Sequence, residues 1–93
     1  MNKLTDDQVR QALQQLPGWK LEGGEIVFDC TFKDFVAAMA FVNDVAQLAE
    51  AAGHHPDIDI RYNRVRLALV THDAGGLTTN DTNLAQKINN LGH

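Results

Sequence analysis

The run Asp57-Ile58-Asp59-Ile60-Arg61-Tyr62, followed by Asn63-Arg64 and then Val65-Arg66-Leu67-Ala68-Leu69-Val70-Thr71, decides the fold. Both flanks alternate apolar and polar residues with the period of two that marks a half-buried strand, and only a tight connection separates them, so they form a hairpin. Pairing Tyr62 with Val65 sets Ile60 opposite Leu67 and Ile58 opposite Leu69, which gathers the apolar residues of both strands on one side. Asn63 tolerates the left-handed backbone of a primed turn but Arg64 does not suit it, so a four-residue loop in the same register is an equal alternative.

A sheet with one apolar face needs helices to cover it, and the flanking sequence supplies them. Thr5 and Gln8 make a capping box with Leu4 and Val9 as its hydrophobic staple, and Val9, Leu13 and Leu16 predict a helix from Asp6 to Leu16, stopped by Pro17-Gly18. Trp19-Lys20-Leu21 reads as a short strand that turns at Gly23-Gly24 into Ile26–Thr31. Lys33 to Ala52 is the longest helix, with Phe35, Met39, Val42, Ala46 and Ala49 on one stripe and Val36, Ala40, Val45 and Leu48 beside it. That arc is wide enough for a sheet on one side and another subunit on the other, and Gly53 stands where a left-handed cap belongs. After Asp73-Ala74-Gly75-Gly76, Thr79 or Asn80 caps a final helix with Leu84, Ile88 and Leu91 as its stripe and Gly92 as its end. The order α-β-β-α-β-β-α fits an α+β fold of helices packed on an antiparallel sheet.

With 93 residues, 44% of them hydrophobic and 22% charged, one domain over residues 1–93 is expected. Eight Lys and Arg against twelve Asp and Glu leave a charge of -4, which argues against duplex nucleic acid and acidic membrane surfaces as partners. No uninterrupted apolar run approaches the ~20 residues of a membrane span, and Met1–Asp7 carries no secretory pattern, so the cytoplasm is the expected compartment. Cys30 is the only cysteine, which excludes a disulfide within the chain and a thiolate cluster for zinc, and it reads as an inert buried thiol.

The chemistry gathers at the far end of the hairpin. Extending the register sets His55 opposite His72 on the face of Arg61 and Arg66, with His54 one residue earlier at the end of the long helix. An imidazole, with an unperturbed pKa of about 6.5, gives or takes a proton near neutral pH, so such a cluster suits acid–base work. Three imidazoles and a water can also hold zinc, but adjacent His54 and His55 converge awkwardly and no His-Glu-x-x-His spacing is present. Glu50 lies one turn before His54, and Asp81 falls in the first turn of the last helix, where the macrodipole alone would favour it. Either carboxylate could orient a histidine or a ligand. Gly75-Gly76 reads as a turn that could also admit a ligand to the backbone. Arg61, Arg64 and Arg66 with Asp57 and Asp59 read as a charge-balanced sheet face, Trp19 as core, and Phe35 and Met39 as core or subunit contact.

Glu50, His54-His55-Pro56, Tyr62, His72 and Asp81, at these spacings, resemble the signature of the pterin-4a-carbinolamine dehydratases. Leu16-Pro17-Gly18-Trp19, Phe32-Lys33-Asp34-Phe35 and Tyr62-Asn63-Arg64-Val65 extend the resemblance over nearly the whole chain. It implies a four-stranded antiparallel sheet with helices on one face, assembled as a homodimer or homotetramer. It also implies a metal-free and cofactor-free dehydration of 4a-hydroxytetrahydropterin to quinonoid dihydropterin, which a reductase returns to tetrahydropterin for aromatic amino acid hydroxylases. His54, His55 and His72 match the family's active-site histidines, with His54 and His72 moving protons and His55 orienting the pterin; Asp81 matches the associated carboxylate, and Glu50 a position where several charged residues occur. Well-known members carry an aromatic residue at Ile58 and a polar one at Ile60, and some animal members also bind a transcription factor, which suggests an adaptor role for the long helix.

Overall fold

The computed structural model describes residues 2–92 as α1 (Asp6–Gln14), β1 (Trp19–Glu22), β2 (Glu25–Thr31), α2 (Phe35–Ala52), β3 (Asp57–Arg61), β4 (Arg64–Leu69) and α3 (Thr79–Asn89), with a 3-10 turn at His72–Ala74. The four strands form one antiparallel sheet in the order β1-β2-β4-β3, and the helices cover one face. This is the α+β order expected from the sequence.

Register fixes the apolar face row by row. Trp19 pairs with Phe28, Phe28 with Leu67 and Leu67 with Ile58; the flanking rows are Leu21–Ile26–Leu69 and Cys30–Val65–Ile60. Against them pack Val9 from α1, Ala38, Phe41, Val42, Val45 and Ala49 from α2, and Leu84, Ala85 and Ile88 from α3. Burial of each large apolar side chain, such as Ile26, Leu67, Leu69, Leu84 and Ile88, contributes about 1.5–3 kcal/mol. Trp19 is core, as its composition suggests: its ring stacks on Phe28 at 5.3 Å between centroids, and its indole N–H donates to Asn89 Oδ1 at 2.9 Å.

Several sequence expectations shift. The first helix stops at Gln14, because Gln15 already leaves helical geometry, and Leu16 is a core residue of the connection. The long helix starts at Phe35 rather than Lys33, since Asp34 is extended and caps it by accepting from the Ala37 N–H. Its buried stripe is Ala38, Phe41, Val42, Val45 and Ala49, so Phe35, Val36, Ala40 and Ala46 face outward. Gly53 closes it left-handed, as expected, at φ 64 and ψ 27. α3 is capped by Thr78, not Thr79 or Asn80, and ends at Asn89, before Leu91 and Gly92. By length and composition α2, 18 residues with mean hydropathy 1.2, could cross a membrane, but its buried face sits at the centre of the core.

The hairpin holds its faces but not its register. Ile60 pairs with Val65 and Ile58 with Leu67, two residues away from the sequence expectation. A shift of two keeps every side chain on its face, whereas a shift of one would have inverted them. The turn residues are therefore Tyr62 and Asn63, and Tyr62 takes φ 54. Asn63 is held by two bonds to Phe32, the residue after β2: the Phe32 N–H donates to the Asn63 carbonyl at 2.8 Å, and Asn63 Nδ2 donates to the Phe32 carbonyl at 2.9 Å. β3 is a sheet edge, which leaves Ile58 on the helix-covered face yet 37% exposed.

Candidate active site

His54 follows the left-handed Gly53 directly, and the αL cap turns the chain sharply enough to lay the imidazole against the first turn of α3. There its Nε2 lies 2.5 Å from Asp81 Oδ1. Asp81 is fully buried, and its other oxygen accepts from Thr71 Oγ1 at 2.8 Å and from the Thr78 N–H at 2.9 Å. The sequence reading offers Asp81 either the macrodipole or a histidine or ligand to orient; the structure gives it the third helical position of a Thr78–Asp81 capping box and the His54 ring.

Thr71 reaches this carboxylate because β4 ends at Leu69 and the chain then bridges Thr71 to Gly76, with N–H···O distances of 3.0 and 3.3 Å. The 3-10 turn His72–Ala74 lies inside that loop. His72 is thus lifted off the sheet, and it does not pair with His55 as a continued strand would require. The cluster forms all the same: His54, His55, Thr71, His72 and Asp73 share the walls of one shallow depression of about 250 Å³.

His55 Nε2 lies 2.6 Å from Glu50 Oε2, so Glu50 addresses His55 rather than His54, and both are well exposed. Gly75 and Gly76 stand apart from the depression. Gly75 closes the 3-10 turn left-handed at φ 73, and Gly76 lies so close to Lys3 that a Cβ would come within 2.5 Å of its Cε. The Leu4 N–H donates to the Leu77 carbonyl at 2.7 Å, so the N-terminal segment pins the loop that leads into the Thr78 cap.

A larger groove of about 420 Å³ lies at the turn end of the sheet and carries no imidazole. Two of its three guanidinium groups are paired: Arg66 with Asp29 and Glu22, and Arg61 with Asp59. The smaller depression is the one walled by imidazoles, and there His54 meets the buried Asp81 carboxylate. Among the described residues no three His, Cys, Asp or Glu side chains converge as a metal site. Cys30 is half-buried on the sheet, less enclosed than its sequence suggests; burial raises its pKa, against a backbone hydrogen bond at Thr31 that lowers it.

Sequence reasoning missed Thr71 and Thr78. The Thr78-x-x-Asp81 spacing carries the signal of a capping box, whereas nothing local to Thr71 points to Asp81 ten residues on.

A family model described as pterin 4 alpha carbinolamine dehydratase matches residues 2–91. The chain belongs to that family. Relatives within the pterin-4a-carbinolamine dehydratase family include proteins named "Putative pterin-4-alpha-carbinolamine dehydratase" from Acidobacterium capsulatum, 64% identical over 98% of this chain and 99% of its own length, and from Chloroflexus aurantiacus, 58% identical over 98% of both. A crystal structure of a transcriptional coactivator/pterin dehydratase from Brucella melitensis is similar at a TM-score of 0.93, with 37% identity over 99% of this chain and 100% of that one.

Proposed function

We propose that this chain dehydrates 4a-hydroxytetrahydropterin to quinonoid dihydropterin, and so serves tetrahydropterin recycling for an aromatic amino acid hydroxylase. The observation that carries the reading is the buried Asp81–His54 pair behind a depression that also bears His55 and His72, in a chain of the dehydratase family. The 4a-hydroxyl leaves poorly until it is protonated, and loss of the neighbouring ring N–H proton lets the new double bond form. Both proton transfers are within the means of two imidazoles.

In this reading His54 and His72 exchange those protons, one protonating the departing hydroxyl and the other removing the ring proton. His55, steadied by Glu50, orients the pterin, and Asp81 holds the His54 ring. The substrate's own nitrogen lone pair expels the hydroxyl, so neither metal nor organic cofactor takes part. A shallow, open depression suits a flat bicyclic ligand bound on one face. The same reading takes the outward apolar stripe of α2 as the contact of a homodimer or homotetramer, and places the protein in the cytoplasm.

The test is dehydration of 4a-hydroxytetrahydropterin followed by ultraviolet absorbance with excess chelator present, comparing the chain with its His72→Ala variant. Acceleration by the chain, with kcat lowered roughly 10²-fold or more in a folded variant, supports the assignment. No acceleration by folded protein overturns it. Activity lost to chelator would turn the site into a metalloenzyme, and full activity in the variant would remove His72 from the chemistry.

A further inference from the structure

The hydrogen bonds around Asp81 can be assigned proton by proton. The Thr78 N–H can only donate, and it donates to Oδ2. The Asn80 N–H donates to Thr78 Oγ1 at 3.2 Å, which leaves the Thr78 hydroxyl proton free for Thr71 Oγ1 at 2.9 Å. Thr71 then has its single proton for Asp81 Oδ2. A one-way relay results, from the first turn of α3 through two hydroxyls into one carboxylate oxygen.

Oδ2 thereby holds two donors, and Oδ1 is left for His54 Nε2 alone. In the neutral ring Nε2 must carry the proton to meet that oxygen, which leaves the Nδ1 lone pair unused. Among the described residues no buried side-chain nitrogen or oxygen lacks a partner and none engages His54 Nδ1, so Nδ1 is not buried, and its ring lines the depression.

We infer that Thr71 is a positioning residue: its hydroxyl saturates Asp81 Oδ2, commits Oδ1 to His54 and locks that ring as the Nε2–H tautomer, so that Nδ1 is the atom that exchanges protons with the bound molecule. The inference rests on the dehydratase reading for the identity of that molecule, and on geometry alone for the tautomer. Without the Thr71 donor, Oδ2 has only the Thr78 N–H, and the carboxylate is free to rotate and share its oxygens differently with the ring.

The experiment uses the full chain with its histidines labelled with 15N, observed by long-range proton–nitrogen correlation, for the wild type, Thr71→Val and Thr71→Ser. Valine keeps the shape of threonine and removes the hydroxyl; serine keeps the hydroxyl. The wild type and Thr71→Ser are expected to show His54 with a protonated Nε2 and an unprotonated Nδ1. Thr71→Val is expected to show mixed tautomers and a kcat for dehydration lowered about tenfold with KM little changed, the lower end of what loss of a ring-orienting partner costs.

A wild-type His54 protonated on Nδ1 overturns the inference, and does so even where Thr71→Val fails to fold. A tautomer untouched in folded Thr71→Val, or a serine variant that behaves like the valine one, overturns it as well. The spectra do not depend on turnover. A wild type with the Nε2–H ring that Thr71→Val disturbs, but without dehydration of the pterin, overturns the proposed function and supports the tautomer lock.

Discussion

Asp81 is the residue on which the candidate site turns, because three donors converge on a side chain with no exposure to water. Asp81→Asn preserves its shape and reverses one polarity. The Thr78 N–H must still donate, so the amide oxygen takes the place of Oδ2 and the amide NH2 faces His54. That ring must then accept at Nε2 and carry its proton on Nδ1, the wrong atom for the proposed exchange. We expect the variant to fold and its kcat for dehydration to fall on the order of 10²-fold. Turnover close to the wild type would separate Asp81 from the chemistry. Cys30 makes a second prediction at this scale. Burial raises its pKa, so less thiolate exists at a given pH than in an exposed cysteine, and a thiol-directed disulfide reagent should label the folded chain more slowly than the urea-unfolded chain at pH 8. As pH rises the labelling rate should still climb after that of the unfolded chain has levelled off; coincident profiles would refute the shift.

The hairpin β3–β4 explains how far an element can be read from sequence. Alternation over Asp57–Tyr62 and Val65–Thr71 settles which side chains share a face, since hydrophobic burial acts on faces. It is blind to a shift of two residues. What chooses between the two registers is a long-range contact, the double clamp of Asn63 on Phe32, and that pair is 31 residues apart. The clamp sets Tyr62 into left-handed backbone, where its Cβ crowds the following carbonyl at a cost of roughly 1–2 kcal/mol. Tyr62 is 66% exposed, so Tyr62→Asn loses little packing and gains a residue that visits this conformation readily. The variant should resist urea by about 1 kcal/mol more than the wild type. Equal or lower stability would mean that the Tyr62 ring contributes something offsetting. For α3 the apolar stripe located the helix but not its cap: Thr78 and Asp81 stand at capping-box spacing, yet Thr79 and Asn80 offer the same capping chemistry one and two residues on; the His54 bond to Asp81 spans 27 residues, and no spacing rule reaches that far.

At the scale of the whole molecule, His54, His55, His72 and Asp81 all come from one chain, and the two edges of the depression are the end of α2 and the loop after β4. The apolar residues of α2 divide between two jobs that sequence periodicity merges. Those at Ala38, Phe41, Val42, Val45 and Ala49 fill the core, while Val36, 76% exposed, stands on the opposite side of the helix with Ala40, and Phe35, 47% exposed, flanks the buried stripe at its first turn. Under the proposed reading this outward apolar stripe is the contact between copies of the chain. Sedimentation velocity at tens of micromolar should therefore give a mass at least twice the 10.3 kDa of the chain, and Val36→Asp should return it to 10.3 kDa, because an unpaired carboxylate in the centre of an apolar contact is expensive to desolvate. Since no site residue lies on that stripe, the dissociated variant should keep most of the dehydration activity proposed for the chain. A wild type that sediments at 10.3 kDa would refute self-association through α2 and assign the stripe to a different protein. A variant that is monomeric, folded and inactive would show that the depression is completed only in the assembly.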